Sequence, residues 1–351
     1  QSRLEYPLID GVVNGCPSLL LENSATNLFP YSSDYNQTDW SKINITIESN
    51  STISPDGTLN VTSGFLSPDG GLNAFKLVED TSNAKHRIFS NELGTSKTFS
   101  FFAKSDGRNW VSVLSNSGGS SFFDVENGVV GTVAAGSIGK IESLVGGWYR
   151  CTLYNSHGTF GSYVGLAASD NSETYQGDGT SGVYIYGTQL EQGSYPTSYI
   201  PTNGTTVTRA AETANGAGDA TTFNDSEGVL MAEISQDNNG FNTIGISDGG
   251  LTDRVTIAYQ NNTIRLILVY NNNVVQLFKS TYLQNSFHKV AIKYTQSNVS
   301  LIINGFELLT TSKGAFGDSL NTLQFAQGNG GNNFYGKTKQ IQYYNSALTD
   351  S

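Results

Sequence analysis

At 351 residues the chain is long enough for two ordinary domains, each with a core of its own. Charged residues make up only 14 %, against 39 Gly, 18 Tyr and 18 Phe, a mix that suits turn-rich all-β architecture. Nineteen Lys and Arg against 30 Asp and Glu give a net charge of −11, which excludes a phosphate-tracking surface and with it nucleic acid as a main ligand.

No apolar run approaches the roughly 18 residues that a membrane span needs, so no membrane insertion is expected. No basic-then-apolar leader follows Gln1, and the chain reads as a soluble piece whose natural start lies upstream. Cys16 and Cys151 fit no metal spacing; one long-range disulfide and two separate thiols both remain open. Eight Asn-x-Ser/Thr sequons in so Asn- and Thr-rich a chain carry no secretory inference.

Taken in order, the elements are strands. Ser54-Pro55-Asp56-Gly57 and Ser67-Pro68-Asp69-Gly70 are two turns of one kind, with φ preset by Pro and Gly free to go left-handed. Phe99, Phe101 and Ala103 alternate, as do Trp110, Ser112 and Leu114, and Trp148, Arg150 and Thr152. The stretch Val183–Thr202 reads as a strand running into a loop punctuated by Pro196 and Pro201, with the lone carboxylate Glu191. A Gly- and Thr-rich stretch then marks a boundary between about 196 and 226. Beyond it alternation is clearest: Ile264, Leu266, Leu268 and Tyr270, a turn at Asn271–Asn273, then Val290, Ile292 and Tyr294. After a turn near Gln296–Asn298 come Val299, Leu301 and Ile303, the hairpin signal Asn304-Gly305, and the return at Phe306 and Leu308.

Catalytic signals are weak. Gly331-Asn332-Asn333-Phe334-Tyr335-Gly336-Lys337-Thr338 satisfies the G-x-x-x-x-G-K-[ST] pattern, but a strand pattern follows where a phosphate loop needs a helix, so it reads as a β-turn. His86, His157 and His288 are scattered, and no nucleophile elbow or metal-ligand cluster occurs. Asp56, Asp69, Asp178 and Asp248 sit in turns, where carboxylates are usually solvated. Aromatic platforms for sugar rings are the better signal, with Trp40, Trp110, Tyr154, Tyr175 and Tyr259 as candidates. Trp110 and Trp148 read as core, and Tyr175, in a Gly-Asp loop, is expected to be the most exposed.

Several segments resemble tailed-phage virion proteins, in tail fibres, tailspikes and head fibres. They are Cys16-Pro17-Ser18-Leu19-Leu20-Leu21-Glu22, Thr26-Asn27-Leu28 with Tyr31–Asp34 and Trp40, and Ser67–Gly70 with Ala74–Glu79. Gly146-Gly147-Trp148-Tyr149-Arg150, Gly177–Glu191, Tyr195–Thr202 and Thr208–Glu212 complete the set, which covers most of residues 7–230. Residues 24–200 are also similar to the galactose-binding-like jelly rolls of carbohydrate-binding modules. Residues 227–351 are similar to concanavalin A/laminin-G-like sandwiches, through Phe287–Tyr294, Val299–Gly305 and Phe334–Asp350.

The expectation is therefore all-β: two tandem antiparallel sandwiches, a jelly roll at 24–200 and a concanavalin A-like domain at 227–351, joined by a linker at 201–226. Residues 1–23 are expected to supply a strand that packs on the second sandwich. The resemblance implies a non-enzymatic fibre or spike component of the virion surface, binding bacterial surface polysaccharide for host attachment. A purely structural head fibre and a polysaccharide-degrading enzyme are the alternatives. It further implies other virion proteins as partners and a homotrimer. No cofactor is required, although the resemblance allows a structural Ca²⁺ whose ligands it does not map. Tyr175, Trp40, Tyr154 and Tyr259 are the expected glycan-binding residues.

Overall fold

The computed structural model describes residues 3–6, 8–9, 12–13, 15–49, 65–90, 97–115, 119–155, 160–236, 240–280, 286–317 and 319–348. Among them the secondary structure is strand apart from one 3-10 turn, Val145–Gly147, and every strand pairing is antiparallel. The chain divides into two compact units. The first is Leu8–Val13 with Ser24–Ala210, and the second is Gln1–Pro7, Asn14–Asn23 and Ala211–Ser351.

The first unit is a sandwich of two six-stranded sheets. One sheet runs Ser137–Ser143, Tyr149–Asn155, Lys97–Asp106, Gly182–Gln192, Phe75–Glu79 and Ile45–Ser49. The other runs Val129–Val130, Gly119–Asp124, Trp110–Ser115, Phe160–Ala167, His86–Phe89 and Ser41–Ile43. Because side chains alternate between faces, Phe99, Phe101, Leu77, Cys151 and Val183 from the first sheet meet Ile88, Val111, Val113, Phe123 and Val164 from the second. Trp110 is therefore not core: Val111 and Val113 point inward, and Trp110 is half-buried on the outer face. Both frames of that strand contain apolar residues, so period two alone assigns no inner face.

The second unit is a sandwich of seven strands against six. Leu230, Ala232, Ile234, Val290, Ile292 and Leu301 of one sheet pack on Ile244, Ile246, Val255, Ile257, Leu266 and Leu268 of the other. Arg3–Glu5 and Ser18–Leu21 join the seven-stranded sheet through Leu19 and Thr338, so both ends of the chain build this unit. Arg3 Nε donates to Glu212 Oε1 at 2.7 Å and also pairs with Glu22, while Glu22 N donates to Glu212 Oε2 at 2.9 Å.

Residues 201–226 do not form the linker that composition suggests. Val207–Arg209 pairs with Ala25–Asn27 inside the first unit, and Asn215–Ala217 pairs with Thr322–Gln324 inside the second. A stretch with little to bury still carries backbone donors and acceptors, and strand edges satisfy them. The Gly-rich segment expected as a β-turn runs directly into the last strand, Gly336–Tyr344, with Gly336 opposite Gln236 and no helix after it.

Candidate functional site on an outer sheet face

The register of the first sandwich places a set of large side chains on one outer face. With Phe99, Phe101 and Ala103 turned inward, Thr98, Ser100, Phe102 and Lys104 of the same strand point outward. Phe102 faces Arg150 on one side and Tyr186 on the other. Lys104 faces Tyr184, which faces Lys76, which faces Glu48. Lys76 is anchored, with Nζ 2.7 Å from Asp106 and donating to Thr180 O at 3.1 Å. Arg150 is anchored too. Its Nη2 donates to Thr197 O at 2.6 Å and Ser100 Oγ at 3.1 Å, and its guanidinium carbon lies 5.4 Å from the centre of the Phe102 ring.

A small second core covers part of this face. Ala74, Trp148 and Tyr186 are buried in it, with Phe65, Phe102, Leu144, Tyr184 and Tyr199 packed around them. The sequence reading put Trp148 in the core; it is buried, but in this outer cluster and not between the sheets. Its indole Nε1 donates to Leu66 O at 3.0 Å and so holds the loop after Phe65 against the sheet.

That loop carries the second Pro-Asp-Gly turn. Gly70 (φ +82°) lets its N–H reach Ser67 O at 3.0 Å. Asp69 accepts from Gly71 N at 2.9 Å and Tyr186 Oη at 2.7 Å, and also bonds Ser67. Burial works against its charge, but the bonds from Ser67, Tyr186 and Gly71 prevail and hold the carboxyl below the usual aspartate range. The turn acid is exposed, as expected, yet its bonds also tie the turn to the sheet. The other Pro-Asp-Gly turn, at 54–57, lies outside the described residues.

Between this loop and the Val145–Gly147 turn lies a cleft of about 420 Å³. Phe65, Leu66, Pro68, Val145, Trp148 and Tyr184 give it apolar walls; Ser67 and Lys104 supply the polar side chains. Phe65 and Tyr184 rings pair at 4.5 Å between centres. Burial first, then the neighbouring Asp106 carboxylate, push the Tyr184 phenol up to about 12, so it is a neutral hydroxyl at physiological pH. An open, mainly apolar cleft with a few polar groups at its edge suits a small polar ligand with one apolar face.

The residues expected from sequence fall mostly elsewhere. Trp40 is 2 % exposed, packed on Phe29 and Tyr35 at 5.0 and 5.3 Å inside the first sandwich, and its Nε1 donates to Tyr31 O. Tyr259 is 1 % exposed in the core of the second sandwich, 6.4 Å from Phe334. Tyr175, expected in an exposed loop, lies in the short strand Tyr175–Gln176 and is buried, because its hydroxyl donates to Glu79 Oε2 at 2.6 Å and its ring sits 4.7 Å from the Arg108 guanidinium carbon. Tyr154 alone stands half-buried on the outer face of the cleft-bearing sheet, opposite Thr98 and Ile138, in the same strand as Arg150. Tyr184 and Trp148 were missed as site residues. Their even-numbered alternation with Arg150 and Tyr186 was the available signal, together with the Ser67–Gly70 turn.

Other chemistry is sparse. Among the described residues, no three His, Cys, Asp or Glu side chains gather into a metal-sized group, and no helix is long and apolar enough to cross a membrane. His86 is buried with Nδ1 2.7 Å from Asn44 O, His288 opens a strand, and His157 lies outside the described residues. Both cysteines are free thiols; Cys16 is exposed, and burial pushes the Cys151 thiol well up.

No family model matches the chain, and no curated protein matches it. Solved structures do. The mouse laminin α1 LG4–5 domains align with a TM-score of 0.30 at 9 % identity, over 77 % of this chain and 90 % of that one. The LG1–3 region of the laminin α2 chain gives 0.30 at 8 % identity, over 76 % and 65 %. The binding domain of botulinum neurotoxin serotype G gives 0.28 at 11 % identity, over 69 % of this chain and 48 % of its own length.

Proposed function

We propose that the chain is a non-enzymatic glycan-binding component of a phage fibre or spike, with the Phe65–Trp148–Tyr184 cleft as its sugar site. The observation that carries the reading is this cleft: three aromatic residues and a loop pinned by Asp69 shape a preformed apolar hollow on a sheet face. The apolar face of a pyranose stacks on such rings, while hydroxyls turn to Ser67 and the backbone of the loop. The virion setting, with other virion proteins as partners and a trimer, rests on the sequence resemblance across residues 7–230. In a multivalent fibre, shallow sites of modest affinity add up through avidity.

Affinity electrophoresis of the purified chain through gels holding bacterial polysaccharides tests the reading. Retardation by at least one polymer, weakened about tenfold by Tyr184→Ala, is the expected result. No retardation by any polymer would overturn glycan binding, and a polymer shortened during the run would overturn the non-enzymatic assignment. Light scattering on the purified chain checks the trimer.

A further inference from the structure

Resting on that reading, we infer that the cleft selects acidic sugars, a uronic acid or another carboxylate-bearing unit, through Lys104. Among the described residues that line the cleft, Lys104 is the one with a charged side chain. It stands directly opposite Tyr184 in the sheet register, so ammonium and phenol ring share one wall. Its aliphatic stem runs along the Val145–Gly147 turn: a Cβ built on Gly147 would lie 3.6 Å from Lys104 Cε and 4.0 Å from Nζ. The stem is thereby laid against the turn with the charge at the cleft, as long cationic side chains do over apolar surface.

What sets Lys104 apart from the other cations of this face is that, among the described residues, it has neither a hydrogen-bond nor an ion-pair partner. Lys76, one strand further across, has Asp106 at 2.7 Å and Thr180 O. Arg150, in the adjoining row, is bound to Thr197 O and Ser100. Among the described residues no acid forms an ion pair with Lys104, although the chain carries 30 Asp and Glu against 19 Lys and Arg. In so acidic a chain, a cation left unpaired at the wall of an aromatic cleft complements an anionic ligand. The overall charge of −11 also makes the inference specific, because it repels polyanions in general. Preference for an acidic sugar therefore has to come from the local contact, a charge-assisted bond from Nζ to the carboxylate while the ring stacks on Tyr184.

The test uses matched polymers: alginate and hyaluronan, each in its native form and after chemical reduction of its carboxylates to alcohols, with dextran as a neutral reference. Against the intact chain, at least one of the two native polymers is expected to bind about tenfold more tightly than its reduced form. Lys104→Met should erase that difference and Lys104→Arg should keep it, with thermal stability unchanged in both. Reduced and native forms that bind equally, while Tyr184→Ala still weakens binding, would overturn acid selection and leave sugar binding intact. Binding of dextran alone would do the same. Binding of none of the five polymers would overturn both.

Discussion

In the second sandwich three pairs of successive strands are joined by turns of two residues, whereas in the first two buried carboxylates tie loops at the ends of strands. Asn261-Asn262, Asn271-Asn272 and Asn304-Gly305 all have both residues at positive φ; the first two link strands in unbroken register, and the third links strands whose register shifts between Leu301 and Ile302. The first sandwich uses Glu79 and Glu191 instead. Glu79, with no exposed side-chain surface, accepts Arg108 Nε and Nη2 at 2.6 and 2.7 Å, Tyr175 Oη at 2.6 Å and Asp178 N at 2.8 Å. One carboxylate thus joins three segments spread over nearly a hundred residues. Local turn chemistry is sufficient where strands follow one another closely; where they do not, a buried charge with several donors takes over the ends.

The sharpest way to break this contrast is Glu79→Ala. It strands the Arg108 guanidinium, 22 % exposed, and leaves Tyr175 Oη and Asp178 N without their acceptor. Removing one partner of such a pair costs about 4 kcal/mol. Trp40, Trp110 and Trp148 all lie in the first sandwich, so urea unfolding followed by tryptophan fluorescence reads that unit alone. Hydrogen exchange in Arg254–Gln260 of the second sandwich should stay unchanged. An unshifted fluorescence midpoint would show that the Glu79 contacts are passive.

The same residue sets an acid limit. Burial opposes the Glu79 charge, but the bonds from Arg108, Tyr175 and Asp178 N outweigh it and hold the carboxyl below the usual glutamate range. A carboxyl depressed in the folded chain gives its full stabilisation above its unfolded value of about 4.3. That contribution is lost as pH falls below this value towards the folded one. Between roughly pH 5 and 3 the urea midpoint of the parent should therefore fall more steeply than that of Glu79→Gln. Parallel slopes would refute the assignment.

Glu191 answers what a lone acid does in the segment between Val183 and Thr202. It is 1 % exposed, accepts Gln189 Nε2 at 2.6 Å and Thr197 N at 3.0 Å, and also bonds the Thr197 hydroxyl, fixing the loop that carries Tyr199 to the cleft cluster. Burial is the larger influence here, and the carboxyl keeps its proton to higher pH than an ordinary glutamate. Glu191→Ala should cost about 2 kcal/mol by leaving Thr197 N without its acceptor and Gln189 Nε2 with only its longer bonds to Thr197 O and Ser198 O. Glu191→Gln should cost less than about 1 kcal/mol, since its oxygen can take those two donors while its amide donates to the Thr197 hydroxyl. Equal losses from both substitutions would mean that the charge itself holds the loop.

The contrast also explains what could be read from the residues alone. In the second sandwich the inward faces of Ile264–Leu268, Val290–Tyr294 and Val299–Leu301 follow from alternation, because each strand has one more fully apolar frame, although Ile267 and Val269 form a small buried cluster on the other face. In Trp110–Ser115 both frames are apolar enough to face inward, and the partner sheet decides between them. Tyr175 reads as exposed because the acid that turns it inward is Glu79, 96 positions away. The cleft was legible only in part: its turn and its strand both stand out in sequence, but nothing local brings Phe65 onto Tyr184.

The smallest effect probes the short turns. Gly305 sits at φ +86° with open space where a Cβ would go, so Gly305→Ala meets no neighbour and tests backbone conformation alone. An L-residue in that region costs about 1 kcal/mol. Asn304 keeps its own bonds to the neighbouring strand His288–Tyr294, to Lys289 O at 2.8 Å through its N–H and from Lys289 N at 3.0 Å through Oδ1. The turn should therefore persist, with hydrogen exchange quickening in Asn298–Ile303 and Phe306–Ser312 and nowhere in the first sandwich. If exchange instead rose throughout the second sandwich, this turn would be setting the register of the whole seven-stranded sheet, and the division between local turns and buried carboxylates would have to give way to one in which both act globally.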